Sequence, residues 1–166
     1  GQQRGVLLAI ESAVRDIMPP DEAYARLKPI PGPSAALVRA RLLLTMLQGD
    51  LALEELERAA ASWPEDVGVW EALAECHGQV GSRTSQCHAL ERLLDLAMRS
   101  NRPFNFSVFV SLVQLRLVRD GLQPVMQWLK LGLPARTDLA WAATTALADC
   151  QADAELADLL LPIAAE

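Results

Sequence analysis

The sequence predicts an all-α protein built from short helices stacked as antiparallel hairpins. Three observations carry this reading. First, Leu (29) and Ala (26) supply about a third of the 166 residues, whereas Val plus Ile number 15 and the aromatics 8. Leu and Ala favour helices, while β-branched and aromatic residues favour strands. Second, prolines, glycines and capping residues cut the chain into about ten segments of ordinary helix length. Third, the links between segments are short, and short links make antiparallel neighbours. An apolar fraction of 51% argues against disorder.

The segments follow in order. A first helix is expected from Arg4 to Ile17, with Leu7, Leu8, Ala13, Val14 and Ile17 buried, and Pro19-Pro20 end it. Pro20 suits the first position of a second helix running to Lys28. Pro29-Ile30-Pro31-Gly32-Pro33 cannot be helical and forms a stiff linker. A third helix starts at Ser34 as N-cap and ends at Gln48-Gly49; Asp50 caps a fourth, which runs to Ser62 and is closed by Trp63-Pro64. Asp66 caps a fifth, ending between Gly78 and Gly81. Further helices are expected over 85–99, 105–119, 122–131, 138–150 and 152–161, separated by Ser100 to Pro103, Asp120-Gly121, and Gly132 to Pro134.

Charge narrows the function. Fifteen basic residues, 13 of them Arg, face 21 acidic ones, a net of −6, with no basic stripe of the kind that holds nucleic acid. No apolar run approaches the roughly 20 residues of a membrane span; the longest, around Leu42-Leu43-Leu44, lies in an amphipathic helix. The excess of Arg over Lys and the abundance of Ala suit a GC-rich bacterial source. The chain opens on Gly1 rather than Met, so trimming is expected; a cytoplasmic setting is favoured and a periplasmic one stays open.

An internal repeat organises the middle of the chain. A period of 34 residues runs from Pro33 to Asp66, with small residues at Ala40, Ala52 and Ala59 and with Leu56 between the last two. Pro64 precedes Trp70 by six residues, and the next unit shows Leu73, Ala74 and Gly81. This pattern resembles the tetratricopeptide repeat family, in which small residues let two helices approach and a proline closes each unit. The match is clearest over 33–81. Ala36 and Arg39 stand where the family has Trp and Leu, and Leu43 and His77 stand at its aromatic position. The second unit runs long and lacks its closing proline, since Pro103 falls too late. A third hairpin around Phe109, Leu112, Val113, Val125 and Leu129 keeps the rhythm without the letters. The resemblance implies a right-handed superhelical array over 33–166 as one continuous domain, with 1–32 either a divergent hairpin or a cap.

In that family the first helix of each hairpin lines the concave, ligand-holding face. The resemblance therefore implies partner contacts at Leu37, Arg41, Leu44 and Thr45, with Ser34, and at Glu71, Glu75 and Gln79, with Gly68 and Gly78. Gln114 is a further candidate, with Arg116 and Arg119 nearby, and Arg39 and Arg41 form a basic pair beside that face. The mixture suits a peptide or protein with some apolar and some basic character.

Other chemistry is weaker. Cys76-His77 and Cys87-His88 flank a turn and supply four zinc-type donors. Adjacent helical residues diverge by about 100°, which works against one shared ion, so packing is expected and neither metal nor disulfide is called for. Glu54-Glu55 and Glu65-Asp66 read as helix surface and capping, and no catalytic constellation or cofactor site is visible. Trp63, Trp70, Trp128 and Trp141 are expected in the core. Phe104, Phe106 and Phe109 either seal an irregular junction or form an apolar edge. Leu156, Leu159, Leu160 and Leu161 cannot all face inward on one helix, which with Val6 to Ile10 suggests an exposed apolar side for a further domain, a partner or self-association through the terminal helices. The expected function is a non-catalytic scaffold for a peptide or protein partner. The alternative is the recognition domain of a larger bacterial enzyme or export component, such as a glycosyltransferase or a polysaccharide-export protein.

Overall fold

The computed structural model describes residues 18–100, 102–132 and 139–148, and these form eight α-helices with no strand among the described residues. The chain divides into two compact units, Gly1–Ser82 and Arg83–Glu166. The expected helices over 4–17 and 152–161, and with them the apolar terminal faces, lie outside the described residues.

The first unit holds α1 (Pro20–Leu27), α2 (Pro33–Thr45), α3 (Gly49–Ser62) and α4 (Val67–Gln79). Helix α2 packs on α1, α3 and α4, and α3 also packs on α4. The small residues of the repeat do the work expected of them: Ala40, Ala52 and Ala59 are all buried, together with Leu56, Leu73 and Ala74. Small side chains at such positions let helix backbones approach, and the lost water contact stabilises each apolar residue by about 0.8 kcal/mol per buried methylene. Between α2 and α4 the approach is tight. A side-chain carbon added at Gly68 would lie 3.2 Å from Leu37 Cδ1. The six-residue spacing from Pro64 to Trp70 also has a local cause: the Trp70 indole N–H donates to the Pro64 carbonyl at 2.9 Å.

Helix ends follow the expected signals with three exceptions. Asp66 caps α4, its side chain accepting from the Val69 N–H at 3.0 Å. At α2, however, the N-cap is Gly32 at φ +117°, not Ser34, because Pro33 already fits the first helical position. At α3 the N-cap is Gln48 without a side-chain bond, and Asp50 lies in the first turn, where its charge favours the helix N-terminus. Helix α2 also stops at Thr45, earlier than Gln48. Its end is a Schellman turn: Leu47 N–H donates to Leu44 O at 3.0 Å and Gln48 N–H to Leu43 O at 2.9 Å. The turn α4 makes through Gly81 has the same pattern, with Gly81 at φ +76°. At the first turn the left-handed position is taken instead by Leu47, at φ +59° and 93% exposed.

Two charged residues expected at the surface are buried. Arg39 (8% exposed) donates from Nε to Glu55 Oε1 at 2.7 Å, and its Nη2 lies 2.6 Å from the same carboxylate. Its Nη1 donates to the carbonyls of Leu27 (3.0 Å) and Ile30 (2.7 Å). Arg39 is therefore not part of a basic pair beside Arg41, and Glu55 is not a solvated helix-surface acid. A lone buried charge is very costly, so each persists only because the other is present.

The second unit holds α5 (Arg83–Arg99), α6 (Phe106–Asp120), α7 (Leu122–Gly132) and α8 (Ala140–Leu147). Helix α6 is central, packing on α5, α7 and α8. Its buried Phe109, Leu112 and Val113, with Val125 and Leu129 of α7, are the residues whose rhythm the sequence displayed. Asn105 caps α6, accepting from the Ser107 N–H at 2.9 Å. The phenylalanines split: Phe109 is buried, Phe104 packs edge-on against it with ring centres 6.2 Å apart, and Phe106 is exposed. Trp141, expected in the core, is 73% exposed, because α8 gives the core its alanine side, Ala142, Ala143 and Ala146. Trp63, Trp70 and Trp128 are half-buried.

Two stability measurements check this account. Arg39→Ala should lower the unfolding free energy by about 3–5 kcal/mol, as for other broken buried pairs, while Arg39→Met combined with Glu55→Leu should recover part of that loss in urea titrations. Leu47→Gly should raise stability by about 1 kcal/mol by removing a strained left-handed leucine that buries almost nothing; an unchanged or lower midpoint would contradict it.

Candidate functional site

The seven predicted contact residues fall on two helices of the first unit. Leu37, Arg41, Leu44 and Thr45 recur at spacings of three and four along α2, which places them along one side of that helix. Glu71, Glu75 and Gln79 recur every four residues along α4. The two helices pack against each other near Leu37 and Gly68. Arg41, Thr45, Glu71, Glu75 and Gln79 are exposed, whereas Leu37 and Leu44 are half-buried, and Ser34 is also half-buried. The Thr45 hydroxyl donates to the Arg41 carbonyl at 3.0 Å, so that residue is held by its own helix. In the second unit Gln114 is exposed on α6.

The cysteines behave as core residues. Cys76 and Cys87 are free thiols, each 1% exposed. Burial pushes the Cys76 thiol up, and the nearby Glu75 carboxylate adds to this. His77 is half-buried with its Nδ1 shielded from water, and His88 is exposed. Among the described residues no group of His, Cys, Asp and Glu is arranged to hold a metal ion.

A second candidate, not read from the sequence, lies wholly within the second unit. It is a cavity of about 340 Å³. Among the described residues, Leu94, Met98, Phe109, Trp128, Leu129 and Leu139 line it with apolar side chains, and Glu91, Asp95 and Arg116 with charged ones. Phe109 and Trp128 stack with ring centres 5.9 Å apart and planes 29° apart. The Arg116 guanidinium lies over the second of these rings, 4.4 Å from the Trp128 centre, an arrangement in which the ring face attracts the cation.

The charged wall is held by two arginines of α6. Arg116 Nε lies 2.9 Å from Glu91 Oε1 of α5 and 3.5 Å from Asp120 Oδ2. The Glu91 contact is a charge contact and not an aligned hydrogen bond, since that N–H meets no acceptor in good geometry. Arg119 donates from Nη2 to Glu91 Oε1 at 2.9 Å, from Nε to Asp120 Oδ1 at 2.7 Å, and from Nη1 to Cys87 Sγ at 3.3 Å. Hydrogen bonds from Arg119 hold the Asp120 carboxyl below the ordinary range. Bonds to Asp120 and then Glu91 push Arg119 further above its usual value. Burial, assisted by Glu91, pushes the Cys87 thiol up, against the pull of Arg119 and Arg116. The sequence marked Arg116, Arg119, Phe109 and Trp128 singly. Their meeting with Glu91 depends on how α5, α6 and α7 pack, for which no spacing rule exists.

The fold thus belongs to the class of tetratricopeptide-like helical-hairpin proteins. Two solved structures of MamA share it. "MamA MSR-1 C2" superposes with a TM-score of 0.54 at 19% identity, covering 94% of this chain and 89% of that one. A structure of a MamA point mutant gives 0.55 at 19% identity, covering 94% of this chain and 90% of that one. No family model matches the sequence, and no curated protein matches it.

Two observations check the electrostatics. Cys76 and Cys87 should stay unmodified by iodoacetamide at pH 8 in the folded protein and react fully in denaturant, as peptide mass mapping would read; rapid labelling of either in the native state would refute their burial. Asp120, held below its unfolded value, stabilises the fold above the unfolded carboxylate range, and this is lost as pH falls through its folded value. The stability gap between the parent and Asp120→Asn should therefore be full at neutral pH and shrink on acidification; a gap undiminished in strong acid would contradict it.

Proposed function

We propose that this chain is a non-catalytic scaffold that holds a peptide or protein partner on the face formed by α2 and α4. The observation that carries the reading is the sharing of two adjoining helices by the seven predicted residues, five of them with exposed side chains. Such a face offers apolar area at Leu37 and Leu44, a cation at Arg41 and carboxylates at Glu71 and Glu75. Apolar area supplies most of the affinity, and the charges select the partner and its orientation. The tetratricopeptide-like fold supports the same reading, since stacked helix hairpins present helix faces on which a partner can lie. Among the described residues no helix is long and apolar enough to cross a membrane.

A photo-crosslinking amino acid at Thr45 or Gln79 in the source cells should capture the partner for identification by mass spectrometry. The purified partner should then bind Arg41→Ala/Glu75→Ala at least about tenfold more weakly than the parent chain in calorimetry, roughly 1.4 kcal/mol. Unchanged affinity in the double variant would remove this face as the binding surface.

A further inference from the structure

We infer that the cavity of the second unit is an anchor pocket for one apolar side chain of a peptide, with a lysine or arginine next to it in that peptide. The inference goes beyond the α2–α4 face, although it shares the premise that the chain binds peptides.

Size and lining argue for a side chain. At about 340 Å³ the space stands at the low end of the roughly 300–1,000 Å³ of small-molecule sites. That is ample for one large side chain together with atoms of its neighbours, and short of what an extended cofactor needs. Binding energy concentrates where a single apolar group enters a preformed, water-excluding pocket. Preformed is what this pocket is. Phe109 and Leu129 on its floor are 2% and 1% exposed and fixed in the unit's core. Trp128 is held by stacking on the Phe109 ring and by the Arg116 guanidinium over its own ring. Met98 at the mouth is exposed, and an unbranched thioether there adapts to the shape of what enters.

Charge argues for the basic neighbour. Among the described residues on the cavity, Glu91 and Asp95 are carboxylates and Arg116 is the cation. Arg116 is already committed to Glu91, Asp120 and the Trp128 ring. Glu91 is in turn held by Arg116 and Arg119. Asp95 differs. Its ion pairs, with Arg92 at 2.8 Å and Arg99 at 2.9 Å, run along the surface of its own helix, and the Arg99 side chain is 60% exposed. Pairs of that kind contribute about 0–1 kcal/mol, so Asp95 can take an incoming lysine or arginine in exchange at little cost. The net charge of −6 favours approach of a basic segment over an acidic one.

The test uses the full 166-residue chain, isotopically labelled for amide NMR, and three capped hexapeptides: Gly-Ser-Leu-Lys-Ser-Gly, its Leu-to-Ser form and its Lys-to-Glu form. The Leu-Lys peptide should shift amides of α5, α6 and α7 around Leu94, Met98 and Trp128. The Ser form should leave them in place, and the Glu form should bind about tenfold more weakly, as expected from turning an attractive surface pair into a repulsive one. Asp95→Lys should reverse the Lys-over-Glu preference. Met98→Trp, which fills the mouth from an exposed position, should abolish the shifts while thermal unfolding shows the fold intact. Equal shifts from the Leu and Ser peptides, shifts confined to α2 and α4, or no shifts at all on the folded chain would each overturn the inference. The two sites fail separately. Loss of the α2–α4 crosslinks with retained cavity shifts removes only the scaffold face, and the reverse pattern removes only the pocket.

Discussion

The contact between Arg39 and Glu55 governs how the first unit is put together. The linker between α1 and α2 carries prolines at 29 and 31 and leads into Pro33 at the start of α2, so it is poor in backbone donors; the Ile30 N–H, donating to the Leu27 carbonyl at 3.0 Å, closes the turn at the end of α1. The linker has carbonyls, and Arg39 binds the two at Leu27 and Ile30 with one nitrogen. The rest of the guanidinium faces Glu55 on α3. One planar side chain thus fixes the end of α1 and the linker against α2, and α2 against α3. Lysine could not replace it, since a point charge lacks the fork that reaches a carboxylate and two carbonyls together. Glu55 is also bonded more than once, with Arg58 3.1 Å from its second oxygen. That multiple satisfaction is the condition under which a buried ion pair is tolerated. The α2 face that carries Leu37, Arg41 and Leu44 takes its orientation from this pairing.

The second unit uses the same device in a wetter setting. Arg116 and Arg119 of α6 reach Glu91 of α5, as Arg39 of α2 reaches Glu55 of α3. The Arg39 and Glu55 side chains are 10% and 6% exposed, whereas Arg116, Arg119 and Glu91 are 20%, 31% and 28% exposed. The buried pair is therefore a structural joint, insensitive to salt, while the partly exposed network feels solvent and ions. Buried Cys87 beneath Arg119 marks where that network meets the core. An interhelical joint beside a cavity, in place of one sealed in the core, leaves the apolar wall formed by Phe109, Trp128 and Leu129 open to an incoming group.

The sequence displayed what depends on local rules and concealed what depends on packing. Proline and glycine positions located nearly every helix, because they act through their own backbone, and Ala40, Ala52 and Ala59 revealed the close helix contacts because only small residues allow them. The repeat register placed the seven predicted residues on α2 and α4, helices that adjoin in the structure. Arg39 was not, because a charged residue in a Leu position is by itself indistinguishable from a surface substitution; only its distance to Glu55, 16 residues away, reveals the pair. Gly32 took the cap from Ser34 because Pro33 outcompeted the side-chain cap. Trp141 misled for a related reason. Tryptophan favours burial, but α8 offers an alanine-lined side that packs more closely on α6, and the bulky ring is left outside. The cavity needed three helices to exist at all.

The same division separates the buried joints of the first unit from the face proposed for a partner. The residues that set the helix approach in the first unit are small or apolar and buried, and Gly68 against Leu37 is so close that even one added carbon requires its neighbour to move. The exposed residues between them, Arg41, Thr45, Glu71, Glu75 and Gln79, lie outside the buried core and are the ones proposed to meet a partner. Leu37 stands on the boundary. It is the half-buried residue that touches Gly68 across the joint and also occupies the predicted face. A change at Leu37 therefore alters the spacing of α2 and α4 along with the surface they present, and its effect on binding has to be read together with its effect on stability. Arg41 and Glu75 lie one turn or more from that joint, which suits them to the binding test of the proposed face.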